Sequence, residues 1–334
     1  MQQFKRCYIC NSNSQNDTAY LNKFNHGLFE NKSISICMNC GFGQINPKID
    51  QNDLNNYYEN IYRSKNSVMH FDFNKASLDM NILDYRSISQ LLLCRQYLCS
   101  KNKYHFLDIG AGPGNSFISA RKILGNVSLS AIESNSDAKQ FYKKSLDNIS
   151  IYEHLADVND GIDVLLMSHS LEHFGINDMQ VLFQDIHNVL TDDGVAIIEI
   201  PHMDLRNSNV LKDRFNDTPH LSFFSLESLS KLIDKFEFEL CFINTVGSLL
   251  TDSYSKTANI TREHVYKTTN RSVSAKRAVK DSIKQAAKHL GFYGYLYNIN
   301  ATLKRQGAFC DDINFKYGGK RDLLRCVIKK NNSA

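Results

Sequence analysis

The stretch Phe106-Leu-Asp-Ile-Gly-Ala-Gly-Pro-Gly114 constrains this chain more than any other. Phe106, Leu107 and Ile109 make a short buried strand around Asp108. Glycines follow at every second position, Gly110, Gly112 and Gly114. Without a Cβ the backbone can turn sharply there, and a ligand can lie against it. Asn115-Ser116-Phe117-Ile118 then reads as a helix start, with Asn115 or Ser116 as its cap. Strand, glycine loop and helix N-terminus together form a site for the anionic or polar end of a nucleotide-like ligand.

The next apolar run, Val127–Ile132, ends in Glu133. That is about 20 residues past the glycines, where a doubly wound fold places its ribose-binding acid. With Asp108-Ile109-Gly110 closing the first strand on an acid, the stretch resembles the class I S-adenosylmethionine-dependent methyltransferases. A nicotinamide site more often reads Gly-x-Gly-x-x-Gly with no such acid. The resemblance implies S-adenosylmethionine as cofactor. Its methionine end falls to Asp108 and the backbone of Gly110, Ala111, Gly112 and Gly114. Its ribose falls to Glu133, with Ser134 alongside, and its adenine to the loop of Asp157. Ser168 and His169 would flank the sulfonium.

Two Cys-x-x-Cys knuckles, Cys7-Tyr-Ile-Cys10 and Cys37-Met-Asn-Cys40, precede this region. Two such pairs offer four thiolates to a tetrahedral metal, usually Zn²⁺. With all four positions taken by sulfur the site is closed, so a zinc here is read as structural. No βαβ pattern surrounds either pair, which argues against a redox dithiol. Ala19-Tyr-Leu and Ser33–Ile36 read as short strands of this ribbon. Cys94, Cys99, Cys241, Cys310 and Cys326 sit in apolar contexts and read as core residues. The run from Cys37 through Pro47 into Leu54–Tyr62 resembles the N-terminal part of bacterial methyltransferases with a zinc ribbon, a group that includes sugar C-methyltransferases. Tyr58, Tyr62 and Arg63 would then line the mouth of the site, or pack the helix against its neighbour.

The chain has 334 residues, 42% of them hydrophobic, enough for one sizeable core plus attachments. No apolar run approaches the ~18 residues of a membrane span, and the N-terminus has no secretory h-region. The cytoplasm is the expected location, where nine cysteines point away from a disulfide framework. The net charge of +4 hides an asymmetry: residues 251–334 hold 17 Lys+Arg against 6 Asp+Glu. Such a basic end suits RNA, an anionic surface or a phosphate-bearing substrate, or is simply a solvated helical face.

Apolar spacing predicts a helix from Ala76 to Cys99. Strands and helices then alternate: helix Ser116–Leu124, strand Val127–Ile132, helix Ser136–Leu146, strand Ile149–Tyr152, strand Val164–Met167, helix Asp178–Leu190 and strand Val195–Ile200. Helix Leu226–Phe236 and strand Glu239–Val246 follow. This alternation implies an α/β, Rossmann-like parallel sheet with ligands beyond the carboxyl ends of its strands. Leu171-Glu-His173 and Leu190-Thr-Asp-Asp-Gly194 also resemble the family. By that resemblance Leu323–Ile328 is the last strand, antiparallel to the sixth. The expected organisation is a ribbon with its connecting helix at 1–62, a cofactor domain at 63–247 plus 321–334, and a basic helical insertion at 248–320.

If the acceptor is a hydroxyl, a base must take its proton, and histidine is the usual choice. His220-Leu-Ser-Phe-Phe-Ser225 resembles the Glu-His-Leu-Ser-x-Phe-Ser motif of sugar C-methyltransferases, whose histidine and glutamate serve proton abstraction. Pro219 stands where that glutamate would be, which favours an oxygen over a carbon acceptor. His220 is the expected base, with His202 or Tyr58 assisting, and His173 is expected to fix a loop. The leading reading is a small-molecule methyltransferase acting on a nucleotide-linked or lipid-linked sugar in a polysaccharide or natural-product pathway, the sugar coming from the resemblance. An RNA methyltransferase and a non-enzymatic ribbon interaction protein are the rivals.

Overall fold

The structure is a computed structural model, described for residues 6–20, 27–62, 71–74, 76, 78, 84–207, 219–246 and 323–331. The expected insertion at 248–320 lies outside these residues, as do Arg63 and Cys310. Among the described residues no helix is long and apolar enough to cross a membrane.

The N-terminal part holds β1 (Gln15–Ala19), β2 (Ser33–Cys37), β3 (Gly43–Asn46) and helix α1 (Gln51–Asn56), which runs into a π-helical turn, Tyr57–Ile61. The large sheet comprises β4 (Tyr104–Ile109), β5 (Val127–Ile132), β6 (Ile149–Tyr152), β7 (Ile162–Ser168), β8 (Leu190–Pro201), β10 (Phe238–Val246) and β11 (Leu323–Lys330). Its helices are α2 (Tyr85–Arg95), α3 (Asn115–Leu124), α4 (Ser136–Ser145), α5 (Ile176–Val189) and α6 (Leu226–Lys235). Strand order is β10-β11-β8-β7-β4-β5-β6. The strands from β8 to β6 pair in parallel, and β11 is antiparallel to both β8 and β10. The antiparallel pair expected at the end of the chain is therefore present.

Side-chain alternation explains why this sheet is covered on both faces. Phe106, Val164, Leu166, Val195, Ile197 and Val327 point to the face packed by α2, α3 and α4. Leu107, Leu165, Met167, Ala196, Ile198 and Cys326 point to the other, packed by α5 and α6. Strands buried on both faces read as continuous apolar runs, which is why their sequences lack polar alternation.

Several boundaries differ from the sequence reading, and β8 begins at Leu190, five residues ahead of the expected Val195, so that Leu190–Gly194 belongs to the strand and not to a turn before it. The helix expected over Ala76–Cys99 spans only Tyr85–Arg95, with Ala76 and Leu78 outside it. Asp84 caps it by accepting the Ser87 N–H at 3.3 Å. A side-chain cap fixes a start that apolar spacing alone cannot see. The first ribbon strand lies at Gln15–Ala19, ahead of the expected Ala19-Tyr-Leu.

One buried charge crosses the sheet. Arg325 and Glu199 are direct register partners on β11 and β8, 2% and 0% exposed, with an ion pair at 2.6 Å. Arg86 of α2 approaches the same carboxylate at 3.4 Å. Removing one side of a fully buried pair strands the other charge, so Arg325→Ala is expected to cost about 3–5 kcal/mol of stability in denaturant melts. A loss under about 1 kcal/mol, the size of an exposed pair, would show that the pair is solvated.

Candidate active site and the four-cysteine cluster

The turn between β4 and α3 is built from left-handed backbone: φ is +77° at Gly110, +53° at Gly112 and +78° at Gly114. A Cβ on Gly110 would lie 2.6 Å from the Ser170 hydroxyl. The cap of α3 is Gly114 itself, with no side-chain hydrogen bond, and not the expected Asn115 or Ser116. The first N–H groups of α3 therefore have no capping side chain, as suits a helix end that faces a ligand.

Asp108 is 4% exposed at the end of β4, and Ser116 donates a hydrogen bond to its carboxylate. Burial raises its pKa to about 7, against the Ser116 contact, and the charges of Glu133 and Asp84 push the same way. Glu133 accepts the N–H of Gly112 at 3.3 Å and of Asn135 at 3.0 Å. A carboxylate has about four acceptor positions, so capacity remains for hydroxyl groups. A crevice with acids and, among the described residues, no lysine or arginine against Asp108 fits a ligand bearing an ammonium at one end and a diol at the other.

The turn after β7 meets this loop, since Ser170 donates to the Ile109 carbonyl at 2.6 Å. Just beyond Ser170, the 3-10 turn Leu171–His173 carries Glu172, which is 1% exposed. Glu172 Oε1 lies 3.2 Å from His169 Nδ1 and 3.9 Å from His220 Nε2. His173 stacks edge-on to His220 at 5.2 Å, and its Nδ1 is 2.9 Å from the Tyr58 hydroxyl. Burial depresses His220 to a pKa of about 3, partly opposed by Glu172, so its imidazole is neutral at neutral pH. Burial acts to raise Glu172, but the surrounding histidines, His169 first, outweigh it and hold the carboxyl at about 2. Burial, with the nearby Tyr62 and Tyr57, raises Tyr58 well above the usual phenol value and keeps it protonated.

His220 reaches this place through the ribbon. The short strand β9 (Ser222–Phe223) pairs antiparallel with β3, giving the order β1-β2-β3-β9. Ile45 N–H donates to the Leu221 carbonyl at 3.0 Å, and Ser225 donates to the Cys40 carbonyl at 2.6 Å. Cys7, Cys10, Cys37 and Cys40 lie with their sulfurs all within 4.8 Å of one another, and none forms a disulfide. The Cys7–Cys40 and Cys10–Cys37 separations are 3.7 and 3.5 Å. A tetrahedral zinc with Zn–S of about 2.3 Å requires edges of about 3.8 Å, so the donor set and spacing fit. The Cys7–Cys40 contact lowers the Cys7 thiol and raises Cys40, so in the absence of a metal the two share a proton between them.

Residues 83–241 match a family model described as a methyltransferase domain. That stretch, just under half of the chain, is similar to a methyltransferase domain. The sheet order and glycine turn both fall in or around the matched stretch. Solved structures similar to the chain include a SAM-dependent methyltransferase from Archaeoglobus fulgidus, with 16% identity, covering 74% of this chain and 95% of that one, TM-score 0.41. Another is the cyclopropane synthase MmaA2 from Mycobacterium tuberculosis, with 16% identity, 73% and 84% coverage, TM-score 0.41. A third is the plantazolicin methyltransferase BpumL, solved with a triazolic analog and SAH, with 13% identity, 74% and 84% coverage, TM-score 0.44. These likenesses are too distant to speak for an acceptor. No curated protein matches the chain.

Within the matched stretch the structure gathers Asp108, Gly110, Ala111, Gly112, Gly114 and Glu133 around one turn, with Ser134 exposed beside it. Ser168 accepts a hydrogen bond from Gln90 at 2.9 Å, and His169, with φ +57°, turns its ring toward Glu172. Asp157 is exposed, its carboxylate accepting the His154 N–H at 3.2 Å. His202 bridges Phe224 through its backbone and is not among the side chains that converge on Glu172. His173, expected only to fix a loop, is one of that group. Glu172 is not among the candidates the sequence offers, and the Leu171-Glu-His173 landmark in the turn after β7 is the one signal that points to it. Cys94 and Cys326 are buried as expected, whereas Cys99 is exposed and Cys241 half-buried.

Proposed function

We propose that the protein transfers the methyl group of S-adenosylmethionine to a hydroxyl of a small molecule. The observation that carries this reading is the left-handed glycine turn bracketed by two acids, inside the matched methyltransferase stretch. Asp108 would take the ammonium and Glu133 the ribose hydroxyls, while the α3 N-terminus would face the carboxylate. S-Adenosylmethionine would supply a methyl group on a sulfonium, so the leaving group needs no acid. The chain's own task is to place the acceptor oxygen and remove its proton. His220, neutral and beside the anionic Glu172, would take that proton, the carboxylate stabilising the resulting imidazolium. The acid missing at Pro219 would thereby be provided from the turn after β7. A sugar on a nucleotide or lipid carrier is the acceptor class we favour, on the sequence resemblance. Zn²⁺ in the four-cysteine cluster would be structural, holding the ribbon against the segment that carries His220.

A mass increase of one methyl on a nucleotide sugar incubated with protein and S-adenosylmethionine would support the reading. A panel of nucleotide and lipid-linked sugars left unmodified would sink the sugar assignment. Asp108 provides a separate check on the cofactor site. With its pKa near 7 in the free protein, the carboxylate is mostly neutral below that value and charged above it. The ammonium of the ligand's amino-acid end binds the charged form, so affinity for S-adenosylhomocysteine should rise about tenfold from about pH 6 to about pH 8. Asp108→Asn should flatten the profile in calorimetry; a flat wild-type profile would remove Asp108 from the site.

A further inference from the structure

We propose that Glu172, His173 and His220 form a binding site for a divalent first-row metal ion, distinct from the four-cysteine cluster. One ligand atom from each lies within 4.8 Å of the others. Two imidazoles and one carboxylate are the donor set of open metal sites, which leave a coordination position for water or substrate.

Three features separate this group from a self-satisfied polar cluster. Both carboxylate oxygens of Glu172 are buried and accept no hydrogen bond among the described residues. Such a carboxylate ordinarily carries a strong donor or a cation, because an unpaired buried charge is costly. Yet the basic groups within 4 Å of it are His169 and His220, with no lysine or arginine among the described residues. The third feature is the tautomer of His173. Tyr58 has one hydroxyl proton and contacts both the Pro219 carbonyl, at 3.2 Å, and His173 Nδ1, at 2.9 Å. The carbonyl can only accept, so both contacts are satisfied when His173 keeps its proton on Nδ1. That leaves the lone pair on Nε2, the arrangement found where a partner on the other ring nitrogen orients a metal-ligating histidine. Tyr58 is then a positioning residue for the ion, in place of the assisting role expected from the sequence.

The consequence for chemistry rests on the acceptor-site reading above. A hydroxyl at the open position of the ion loses its proton to water more readily, because the cation stabilises the alkoxide that keeps the electron pair. His220 would then act as a ligand and not as the base.

Manganese(II) tests the site on the full chain, because thiolates compete poorly for it. Its paramagnetic resonance signal should show saturable, one-to-one binding. Glu172→Gln, nearly isosteric, should weaken binding at least a hundredfold, and Tyr58→Phe by about 10–100-fold. Elemental analysis should show the same zinc content in both variants as in wild type. If Glu172→Gln does not fold, His173→Ala, at a half-exposed position, carries the same expectation. Wild-type binding weaker than ~1 mM, or binding undiminished by the substitutions, overturns the proposal. Protein that binds S-adenosylhomocysteine but no manganese loses the ion and keeps the methyltransferase reading. Protein that binds manganese but no S-adenosylhomocysteine keeps the ion and loses the cofactor assignment.

Discussion

Gly112→Arg is expected to abolish S-adenosylhomocysteine binding, by at least a hundredfold in calorimetry, while the protein still unfolds cooperatively. Gly112 sits at φ +53°, which a side chain tolerates at a cost of about 1–2 kcal/mol. That strain is small beside the stability of a domain. The guanidinium is a different matter. Its nearest acids are those that the site would offer the cofactor, since Gly112 N–H already donates to Glu133 Oε2 at 3.3 Å. An arginine there would occupy the crevice and pair with its acids, replacing the ammonium it is meant to attract. Tyr142, whose hydroxyl donates to the Gly112 carbonyl, anchors the turn in either case. Gly112→Ala separates the two causes, because it meets the same φ demand with no long side chain and should keep most of the affinity. Normal binding by the arginine variant would mean that the cofactor lies elsewhere.

The glycine turn was legible in the sequence because its constraint is local: left-handed backbone needs glycine wherever it occurs. The sheet was legible for a related reason. Strands covered on both faces are continuous apolar runs, and Val164–Met167 and Val195–Ile198 are such runs, wholly buried inside β7 and β8. Local signals failed where a partner distant in sequence decides the outcome. β9 is two residues long, too short for any periodicity, and exists because β3 pairs with it. The place of Glu172 beside His220 depends on the turn after β7 meeting a segment pinned by the ribbon. The motif places that acid next to His220 in sequence, where Pro219 stands, whereas the fold brings one from the turn after β7. The sequence ranks His220 as base above His202 as an assisting group, and of the two it is His220 that faces the buried carboxylate.

His220→Ala is expected to slow methyl transfer about 10²–10⁴-fold, the usual worth of a group that removes a proton in the transition state. The loss should fall on kcat, with S-adenosylhomocysteine affinity unchanged, because the cofactor loop is made by β4 and α3 and not by the 219–225 segment. A structural role predicts something else. His220 is 7% exposed and its carbonyl accepts from Tyr20 at 3.4 Å, so a packing defect would lower the melting temperature and loosen the β3–β9 pairing without singling out kcat. Truncating a buried side chain also strips Glu172 of one neighbour, so some destabilisation accompanies the substitution. The ratio of effects therefore decides. A large fall in kcat with cofactor affinity intact places His220 at the acceptor, as base or as ligand of the ion that replaces the base. Manganese binding in the same variant then separates those two, because loss of a base leaves the ion in place and loss of a ligand does not. An unchanged kcat would remove His220 from the chemistry and leave Glu172 as a buried charge without a catalytic reason to be there.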